Sequence, residues 1–570
     1  MRNIFFLILS CFCLLSVHAQ NETSKDHISL AGIWNFKLDP LNISIPVKGS
    51  NFVSRFPEEI TLPGSTDQAG KGFKTQDMSS LRLTRMFEYS GAAWYEKENI
   101  FIPESWKDQL LFLFLERVHW ESQVWINGKF VGKEESLSTP HLYDITSYVK
   151  FGDWNTVRIR VDNGNIHDIA YTHAISAETQ TNWNGIIGRM EIQAVSKVHI
   201  TDVQIYPLQK EKRLKIVAQI ANHSNLPVKG DIRIRCHFLN DSQLLHLNEK
   251  NTTFNSSDSL IHLVHYYDLG DKLYTWDEFE PNLYEIDYEI KCCGKSDVQK
   301  IKFGIRDFGT KGTHFTINDI PTFIRGAVNS CEFPITGYPP MSSQEWKKVM
   351  KVYKDYGFNC IRFHSWCPPE SAFQVADELG LYLQVENSDW RFTVGEDEAT
   401  NAFYLDEVQR IFKEYGNHPS FAFFCEGNEL VGKDCVDFLK EMLTEWKKDS
   451  RHLYVAASGY PTVEGSDFFD FYGARPQRWQ EGLKGRFNSQ PLNTRYDYID
   501  YVKKFSIPMV THEIGQWCAY PDFNQISKYI GVLKPYNYEL FREDLRNKKM
   551  LDQAHDFHIA SGKFQVLQKK

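Results

Sequence analysis

The sequence predicts a multidomain fold in which two β-sandwiches precede a (β/α)8-type barrel. Between about Leu30 and Phe303, short alternating or apolar runs recur between turn signals, which is typical of antiparallel strands. From about residue 306, apolar strands alternate with helical segments, which is typical of a parallel α/β fold. The chain has 570 residues, which is room for about two to four domains of ordinary size.

The first sandwich is expected over residues 20–197, and its strand pattern is that of a jelly roll. Asn127-Gly128 separates two apolar runs, and this dipeptide is a strong signal for a tight hairpin turn. Residues 198–305 again contain strands between polar turns, which favours a small immunoglobulin-like sandwich. No group in this second sandwich indicates chemistry.

The barrel is expected over residues 306–570. Ser342 and Glu345 form a capping box at the start of a helix, and Gly380 follows the end of the next helix. Seven strands can be assigned, the last at Pro508–Thr511, whereas a closed barrel of this type needs eight. A miscount by one strand would explain this, but we expect a barrel that lacks its last strand and is incomplete at its carboxyl end. The chain should then end in helix and leave a gap between the first and seventh strands.

The amino terminus, residues 1–19, has the pattern of a signal peptide. Arg2 supplies a positive start, and the apolar run Ile4–Leu15 is too short to cross a bilayer. Val17-His18-Ala19 is a suitable cleavage site. The sequence thus predicts export to the periplasm or the extracellular space, and no later segment predicts a membrane span.

Composition argues against several kinds of partner. The formal net charge of −9 is spread along the chain without a basic block, which argues against binding to nucleic acid. The nine cysteines outside the signal peptide show no CxxC pair, so buried free thiols are expected rather than disulfides or zinc. No ligand cluster predicts a metal or another cofactor. The oligomeric state is not indicated.

Polar residues follow two apolar strands of the predicted barrel. Glu426, Asn428 and Glu429 follow the run FAFFC, and His512 and Glu513 follow the run IPMVT. Burying such groups is costly unless they are used. At the carboxyl ends of barrel strands the side chains face a common cavity, which is where catalytic groups lie. Two glutamates in this arrangement are what glycoside hydrolysis requires.

Several strings resemble glycoside hydrolase family 2. AGIWNFKLDP, VWINGKFVG and NWNGIIGRMEI resemble its sugar-binding domain, and GNHPSFAFFCEGNEL resembles its acid/base region. The resemblance implies a retaining exo-glycosidase that hydrolyses a terminal β-linked sugar, most often a β-galactoside, from an oligo- or polysaccharide. It implies Glu429 as the acid/base and Glu513 as the nucleophile, and Asn428 is expected to bind the hydroxyl next to the reacting carbon.

Further candidates for sugar binding follow other strands. Arg362 is a candidate to orient the nucleophile and His364 to contact sugar, although their Arg-x-His spacing departs from the common family pattern and a structural buried pair would explain it as well. Glu386, Trp390 and Trp517 are expected to line the pocket. The role of Glu426 is left open.

A second hypothesis is a carbohydrate-binding protein whose truncated barrel is catalytically impaired or inactive. The aromatic content of 14% and the predicted sandwich suit either hypothesis. The presence of both Glu429 and Glu513 favours the enzyme. Which sugar and which linkage are recognised cannot be read from these motifs.

Overall fold

The computed structural model describes residues 26–44, 56–75, 78–240, 243–271, 273–471, 491, 495, 498–514 and 518–569. The predicted signal peptide, residues 1–19, lies outside this part of the chain, and so does Trp517.

Two antiparallel sheets form the first domain, as the jelly-roll prediction expects. Alternation along the strands places apolar side chains such as Trp34, Tyr95, Leu113 and Ile159 between the sheets, where they are buried. One sheet has the order β1-β14-β9-β12 with β4 beside β14, and the other has the order β11-β10-β13-β8-β2-β3. The strands are β1 (Asp26–Ser29), β2 (Gly32–Asp39), β3 (Glu58–Leu62), β4 (Gly64–Ser65), β5 (Phe73–Lys74), β6 (Thr84–Arg85), β7 (Phe87–Glu88), β8 (Ala92–Ile102), β9 (Leu110–His119), β10 (Glu121–Ile126), β11 (Lys129–Glu135), β12 (His141–Asp144), β13 (Asp153–Asp162) and β14 (Gly185–Val195).

The second domain is a smaller sandwich that fits the predicted immunoglobulin-like fold. A sheet of order β15-β16-β19 packs on a sheet of order β18-β17-β20-β21, with a core that includes Ile216, Ile234 and Tyr288. The strands are β15 (Val198–Leu208), β16 (Arg213–Asn222), β17 (Val228–Asn240), β18 (Gln243–Ser256), β19 (Leu260–Asp268), β20 (Leu283–Cys292) and β21 (Lys295–Phe303).

The third part begins with a small antiparallel sheet, β22 (Phe308–Lys311), β23 (His314–Ile317) and β24 (Ile320–Thr322). Its aromatic side chains cover the amino-terminal end of the parallel strands that follow. Phe315 lies edge-on to Phe423 and Phe468, with ring centroids 5.3 and 5.5 Å away. This end of the parallel strands is therefore filled, which leaves the opposite end for a site.

Parallel strands alternate with helices after residue 325. The parallel strands are β25 (Gly326–Asn329), β26 (Cys360–Phe363), β27 (Tyr382–Asp389), β28 (Phe421–Gly427), β29 (Leu453–Val455), β30 (Ser458–Gly459), β31 (Phe469–Phe471) and β32 (Met509–Thr511). The helices are α1 (Ser343–Asp355), α2 (Glu370–Leu379), α3 (Glu398–Tyr415), α4 (Cys435–Trp446), α5 (Ile499–Val502), α6 (Tyr536–Asn547) and α7 (Ala554–Lys569). The predicted caps are present, since Ser342 accepts the Glu345 N–H and Gly380 adopts a φ of 67°.

The predicted (β/α)8-type barrel, expected to lack its last strand, is not confirmed. Strands β25 to β29 form one parallel sheet and β30 to β32 form another, and a single bridge between Asn428 and Ser458 joins them. The ladder breaks at residues 456–457 after β29, and the short strand β30, which the sequence did not predict, begins the second sheet. Within the described residues no pairing joins β32 to β25, and closure of a barrel requires such a pairing.

The last part of the chain returns to the first domain. Strand β33 (Leu533–Lys534) pairs with Thr84-Arg85 of β6, and the Val532 N–H donates to the Ile335 carbonyl at 3.1 Å. A hydrogen bond also joins the first domain to helix α3, since the Tyr415 hydroxyl donates to the Ser138 carbonyl at 2.7 Å. No helix in the described part of the chain is long and apolar enough to span a membrane.

Burial of β27 and β28 holds the parallel sheet together. Every residue of both strands is buried, and Phe424 of β28 packs edge-on against Phe412 and Trp446, with centroids 4.8 and 5.0 Å away. A strand that is buried on both faces has a continuous run of apolar residues in its sequence, and FAFFC in β28 is such a run.

Phe424→Ala should therefore destabilise this part of the protein by about 3–5 kcal/mol, because it removes a buried ring and leaves a cavity. Differential scanning calorimetry can follow the corresponding transition. Phe323→Ala is the control, since the Phe323 side chain is 78% exposed and its loss should change stability by less than about 0.5 kcal/mol. Equal effects of the two variants would contradict this view of the core.

Candidate active site

The end of β28 is fixed by hydrogen bonds to both neighbouring strands. The Asn428 N–H donates to the Asp389 carbonyl at 3.0 Å, and the Glu429 N–H donates to the Ser458 carbonyl at 2.8 Å. Glu429 has a φ of 48°, in the left-handed region that non-glycine residues rarely adopt. This conformation costs about 1 kcal/mol or more and persists only where the surroundings enforce it.

Glu513 leaves β32 in the same way. The His512 N–H donates to the Phe471 carbonyl at 3.0 Å, and Glu513 has a φ of 49°. One carboxylate oxygen of Glu429, one of Glu513 and a ring nitrogen of His512 all lie within 4.8 Å of one another. The two predicted glutamates are therefore brought to one place, although 84 residues separate them in sequence.

Glu513 is surrounded by positively charged or proton-donating groups. His364 Nε2 lies 2.9 Å and Arg362 Nη1 3.5 Å from its Oε1, and His512 Nε2 lies 3.3 Å away. Burial alone would raise the pKa of Glu513, but the hydrogen bonds from His364 and His512 and the charges of His512 and Arg362 hold the pKa well below its usual range. Glu513 is thus an ionised carboxylate.

Arg362 links three of the parallel strands. Its Nε donates to Glu386 Oε1 at 2.6 Å, and its Nη2 donates to Asn428 Oδ1 at 2.8 Å. Burial lowers the pKa of Arg362, but the charges of Glu386, Asp470 and Glu513 outweigh it and raise the pKa. Glu386, predicted to touch sugar, instead holds Arg362, and its other oxygen accepts the Ser365 N–H at 2.7 Å.

His512 is held between acidic groups. Its Nε2 lies 3.5 Å from Glu429 Oε1, and its Nδ1 lies 3.5 Å from Asp470 Oδ1. Burial and Arg362 oppose protonation, yet Asp470 and Glu429 raise the pKa of His512 to about 10. Asp470 itself accepts hydrogen bonds from Ser458 and Gln384.

Sequence reasoning missed Asp470 and Ser458. The one available signal for Asp470 was an acid inside the otherwise apolar run FFDF of the predicted sixth strand. For Ser458 the sequence carries no comparable signal.

Within the described residues, only the oxygen end of the Asn428 side-chain amide has a hydrogen-bond partner. Arginine can only donate, so the oxygen of the amide must face Arg362 and the nitrogen must point the other way. Nδ2 is buried and has no hydrogen-bond partner among the described residues. A buried donor of this kind is costly unless a ligand accepts its proton, so it points to a ligand at this place.

The first domain also contributes to the pocket, which the sequence analysis did not foresee. Its loop between β13 and β14 carries His173, whose ring lies 4.5 Å from His364 and is stacked at 5.8 Å on Trp390. Trp390 is therefore near the pair, as predicted, with its ring 4.9 Å from His364. The signal was the length of the loop, residues 163–184, because long loops are frequently functional.

Glu426 belongs to a different group of side chains. It is fully buried, its Oε2 accepts from Asn387 Nδ2 at 3.3 Å, and burial together with the charge of Asp389 raises its pKa well above the usual range. Arg391 pairs with Asp389 at 2.9 Å and opposes this shift. Glu426 is thus a neutral acid within the fold, with no described contact to Glu429 or Glu513.

The clustered oxygen and nitrogen atoms of Glu429, His512 and Glu513 also resemble the ligands of a metal ion. A ligating imidazole must give up its proton, whereas the pKa of His512 at about 10 keeps the ring protonated at neutral pH. Arg362 adds a second positive charge beside Glu513. This donor set therefore does not fit a divalent cation.

Two β-sandwiches followed by parallel strands with facing glutamates resemble the architecture of multidomain glycoside hydrolases. Residues 28–189 match the model described as "Glycosyl hydrolases family 2, sugar binding domain", and residues 198–306 match "Glycosyl hydrolases family 2". The predicted resemblance to glycoside hydrolase family 2 is therefore confirmed for both β-sandwich domains.

Relatives support the assignment over most of the chain. A β-galactosidase of Priestia megaterium is 26% identical over 377 residues, which is 62% of this chain and 35% of that protein. The β-galactosidase large subunit of Latilactobacillus sakei is 23% identical over 463 residues, which is 73% of this chain and 70% of that protein. For several curated relatives the match covers between 34% and 56% of their length.

Solved structures show the same fold. A family 2 member from Bacteroides cellulosilyticus has a TM-score of 0.67 at 18% identity, covering 90% of this chain and 70% of that one. An unliganded β-glucuronidase from Ruminococcus gnavus has a TM-score of 0.67 at 18% identity, covering 86% of this chain and 83% of that one.

The charge on His512 should make stability depend on pH. Because the folded protein raises the pKa from 6.5 to about 10, the histidine contributes stability that is fully present below about pH 6.5 and is lost as the pH rises through about 10. The difference in thermal midpoint between wild type and His512→Asn should therefore shrink between these two pH values. A difference that grows with pH would contradict the assigned charge.

Proposed function

We propose that this protein is a retaining exo-glycosidase that removes a terminal β-linked sugar, a β-galactoside, from an oligo- or polysaccharide. The observation that carries the proposal is the carboxylate pair, because an oxygen of Glu429 and one of Glu513 lie within 4.8 Å. Retaining enzymes hold their carboxyl groups roughly 5–5.5 Å apart, and inverting enzymes roughly 6.5–9.5 Å apart to admit a water. The short separation supports retention.

The first step forms a covalent intermediate. An oxygen of the ionised Glu513 attacks the anomeric carbon as the bond to the leaving oxygen breaks, and Glu429 gives its proton to that oxygen. The contacts from His364 and Arg362 keep Glu513 ionised and aimed. In the second step Glu429, now a carboxylate, takes a proton from water as the water attacks the same carbon and releases Glu513.

Asn428 is suited to stabilise the transition state. Arg362 fixes the amide through Oδ1, so Nδ2 donates to the hydroxyl next to the reacting carbon without reorganisation. A hydrogen bond that strengthens as the ring gains positive charge accelerates the reaction rather than only improving binding.

Among the described residues, the charges around the carboxylate pair favour a neutral sugar. Arg362 and His512 already face carboxylates of the chain itself, namely Glu386, Asp470 and Glu513. Neither is thus available to neutralise a uronic acid, which supports a β-galactoside over a β-glucuronide although relatives carry both names. Such a substrate agrees with the export that residues 1–19 predict.

A panel of chromogenic β-glycosides tests the proposal directly. Hydrolysis of the β-galactoside is expected, with proton NMR showing the β-anomer as the first product. Binding of galactose without hydrolysis of any glycoside would instead support the inactive carbohydrate-binding protein, and hydrolysis with inversion would contradict the assigned roles.

The two glutamates should differ in how azide rescues their alanine variants. Glu429→Ala should keep its first step on a β-galactosyl fluoride, because fluoride needs little protonation to leave. Azide should then attack the intermediate and give the β-galactosyl azide. In Glu513→Ala turnover should be lost, and azide in the vacated space should give the α-galactosyl azide.

NMR of the products distinguishes the two anomers. Glu426→Ala is a matched control, since it removes a neighbouring carboxyl group that has no described contact with the pair. The same anomer from Glu429→Ala and Glu513→Ala, or unchanged turnover in both, would refute the roles.

Asn428→Ala should lower kcat for a galactoside about 10²–10³-fold, by loss of one preorganised donor. The corresponding 2-deoxygalactoside lacks the accepting hydroxyl, so the same variant should affect it far less. Kinetics of both substrates with both proteins give the coupling between Asn428 and the 2-hydroxyl. Equal losses on the two substrates would mean that Asn428 acts elsewhere.

A further inference from the structure

Three aromatic side chains from two domains meet beside the candidate active site. Tyr171 lies in the loop between β13 and β14, and Trp390 and Phe392 follow β27. The Tyr171 ring is edge-on to Trp390 at 6.1 Å and to Phe392 at 5.9 Å. These three rings are called the aromatic platform. Tyr171 is 46% and Phe392 47% exposed, so the platform presents apolar surface whose burial by a ligand would be favourable.

The platform begins one side chain away from the proposed nucleophile. His364 Nε2 lies 2.9 Å from Glu513, and the His364 ring lies 4.9 Å from Trp390. Tyr171 and Phe392 lie beyond Trp390. A ligand that starts between the carboxylates and continues outward on this side must therefore pass over the platform.

Hydrogen bonds across the domain boundary hold the platform rigid. Thr172 Oγ1 donates to the Ser365 carbonyl at 2.6 Å, and the His173 N–H donates to Ser365 Oγ at 2.9 Å. Thr393 Oγ1 donates to Asp168 Oδ2 at 2.9 Å. Thr172 and Ser365 are fully buried. A surface that is ordered before binding does not lose affinity to its own ordering.

The chemistry of the platform indicates its occupant. Its exposed rings are flat and uncharged, and the nearby Asp168 is engaged by Thr393. Pyranose rings carry flat apolar faces, and aromatic rings with a few placed polar groups are typical of sites for such ligands. Continuity with the carboxylate pair favours a saccharide over an unrelated partner.

We infer that the aromatic platform is a second saccharide subsite, which stacks on the sugar unit adjoining the one held between Glu429 and Glu513. The inference rests on the proposed function. It makes the first domain a direct contributor to substrate recognition through Tyr171, and it predicts a preference for oligosaccharides over substrates with a single sugar.

Kinetics with two substrates test the inference. β-Galactosyl fluoride has one sugar ring and β-1,4-galactobiose has two. Tyr171→Ala and Phe392→Ala should each lower kcat/KM for galactobiose about three- to tenfold, because each removes one aromatic contact. For the fluoride kcat/KM should change less than about twofold. Tyr171→Phe keeps the ring and is the matched control, with near wild-type values for both substrates.

The other outcomes are decisive as well. Equal losses on both substrates would place the platform in the catalytic subsite, and unchanged kinetics would remove it from substrate binding, so either result overturns the inference. Thermal midpoints equal to that of the wild type exclude misfolding as the cause.

Calorimetric binding separates this inference from the proposed function. If the wild type cleaves neither substrate, galactobiose, cellobiose and mannobiose are titrated into the wild type and Tyr171→Ala. Binding that Tyr171→Ala weakens would sustain the subsite while the proposed hydrolysis fails. Absence of binding to all three disaccharides would overturn the subsite.

Discussion

A buried guanidinium among carboxylates is the interaction on which the rest of the site depends. Arg362 on β26 reaches Glu386 on β27, Asn428 after β28 and Glu513 after β32. A buried charge is tolerated only when it is paired and hydrogen-bonded, so each partner fixes Arg362 and is fixed by it. The positions of the proposed nucleophile and of the proposed sugar-binding amide are therefore coupled through one side chain.

Backbone geometry adds a second constraint. Glu429 and Glu513 both adopt a φ close to 50° where the chain leaves β28 and β32. Hydrogen bonds to neighbouring strands hold the backbone N–H of Glu429 and that of His512, which precedes Glu513. Strain of this kind is kept where the surroundings over-determine it. It turns each carboxylate toward the space between the strands, with His512 between them. The pocket is thus preorganised before a ligand arrives, which is the main source of electrostatic catalysis.

The first domain is part of this arrangement and not only an appendage. Its loop places His173 against His364 and Trp390, and its strand β6 receives β33 from the far end of the chain. Contacts across the boundary include hydrogen bonds from buried groups such as Thr172, which have defined geometry. The shape of the pocket wall therefore depends on how two domains dock.

The sequence by itself determined the strand pattern of both sandwiches, the buried strand FAFFC, the helix caps, and Glu429 and Glu513 at strand ends, because these features are local and periodic. The run IPMVT also forms a strand, but β32 is only partly buried. It did not determine the partner of Glu386, which holds Arg362 and was predicted to touch sugar. Nor did it indicate the break at residues 456–457 that divides the parallel strands, or the contribution of Tyr171 and His173. Only the tertiary structure decided these points, because they depend on which distant segments pack together, and side-chain pairing across 20 to 200 residues leaves no periodic signal in a single sequence.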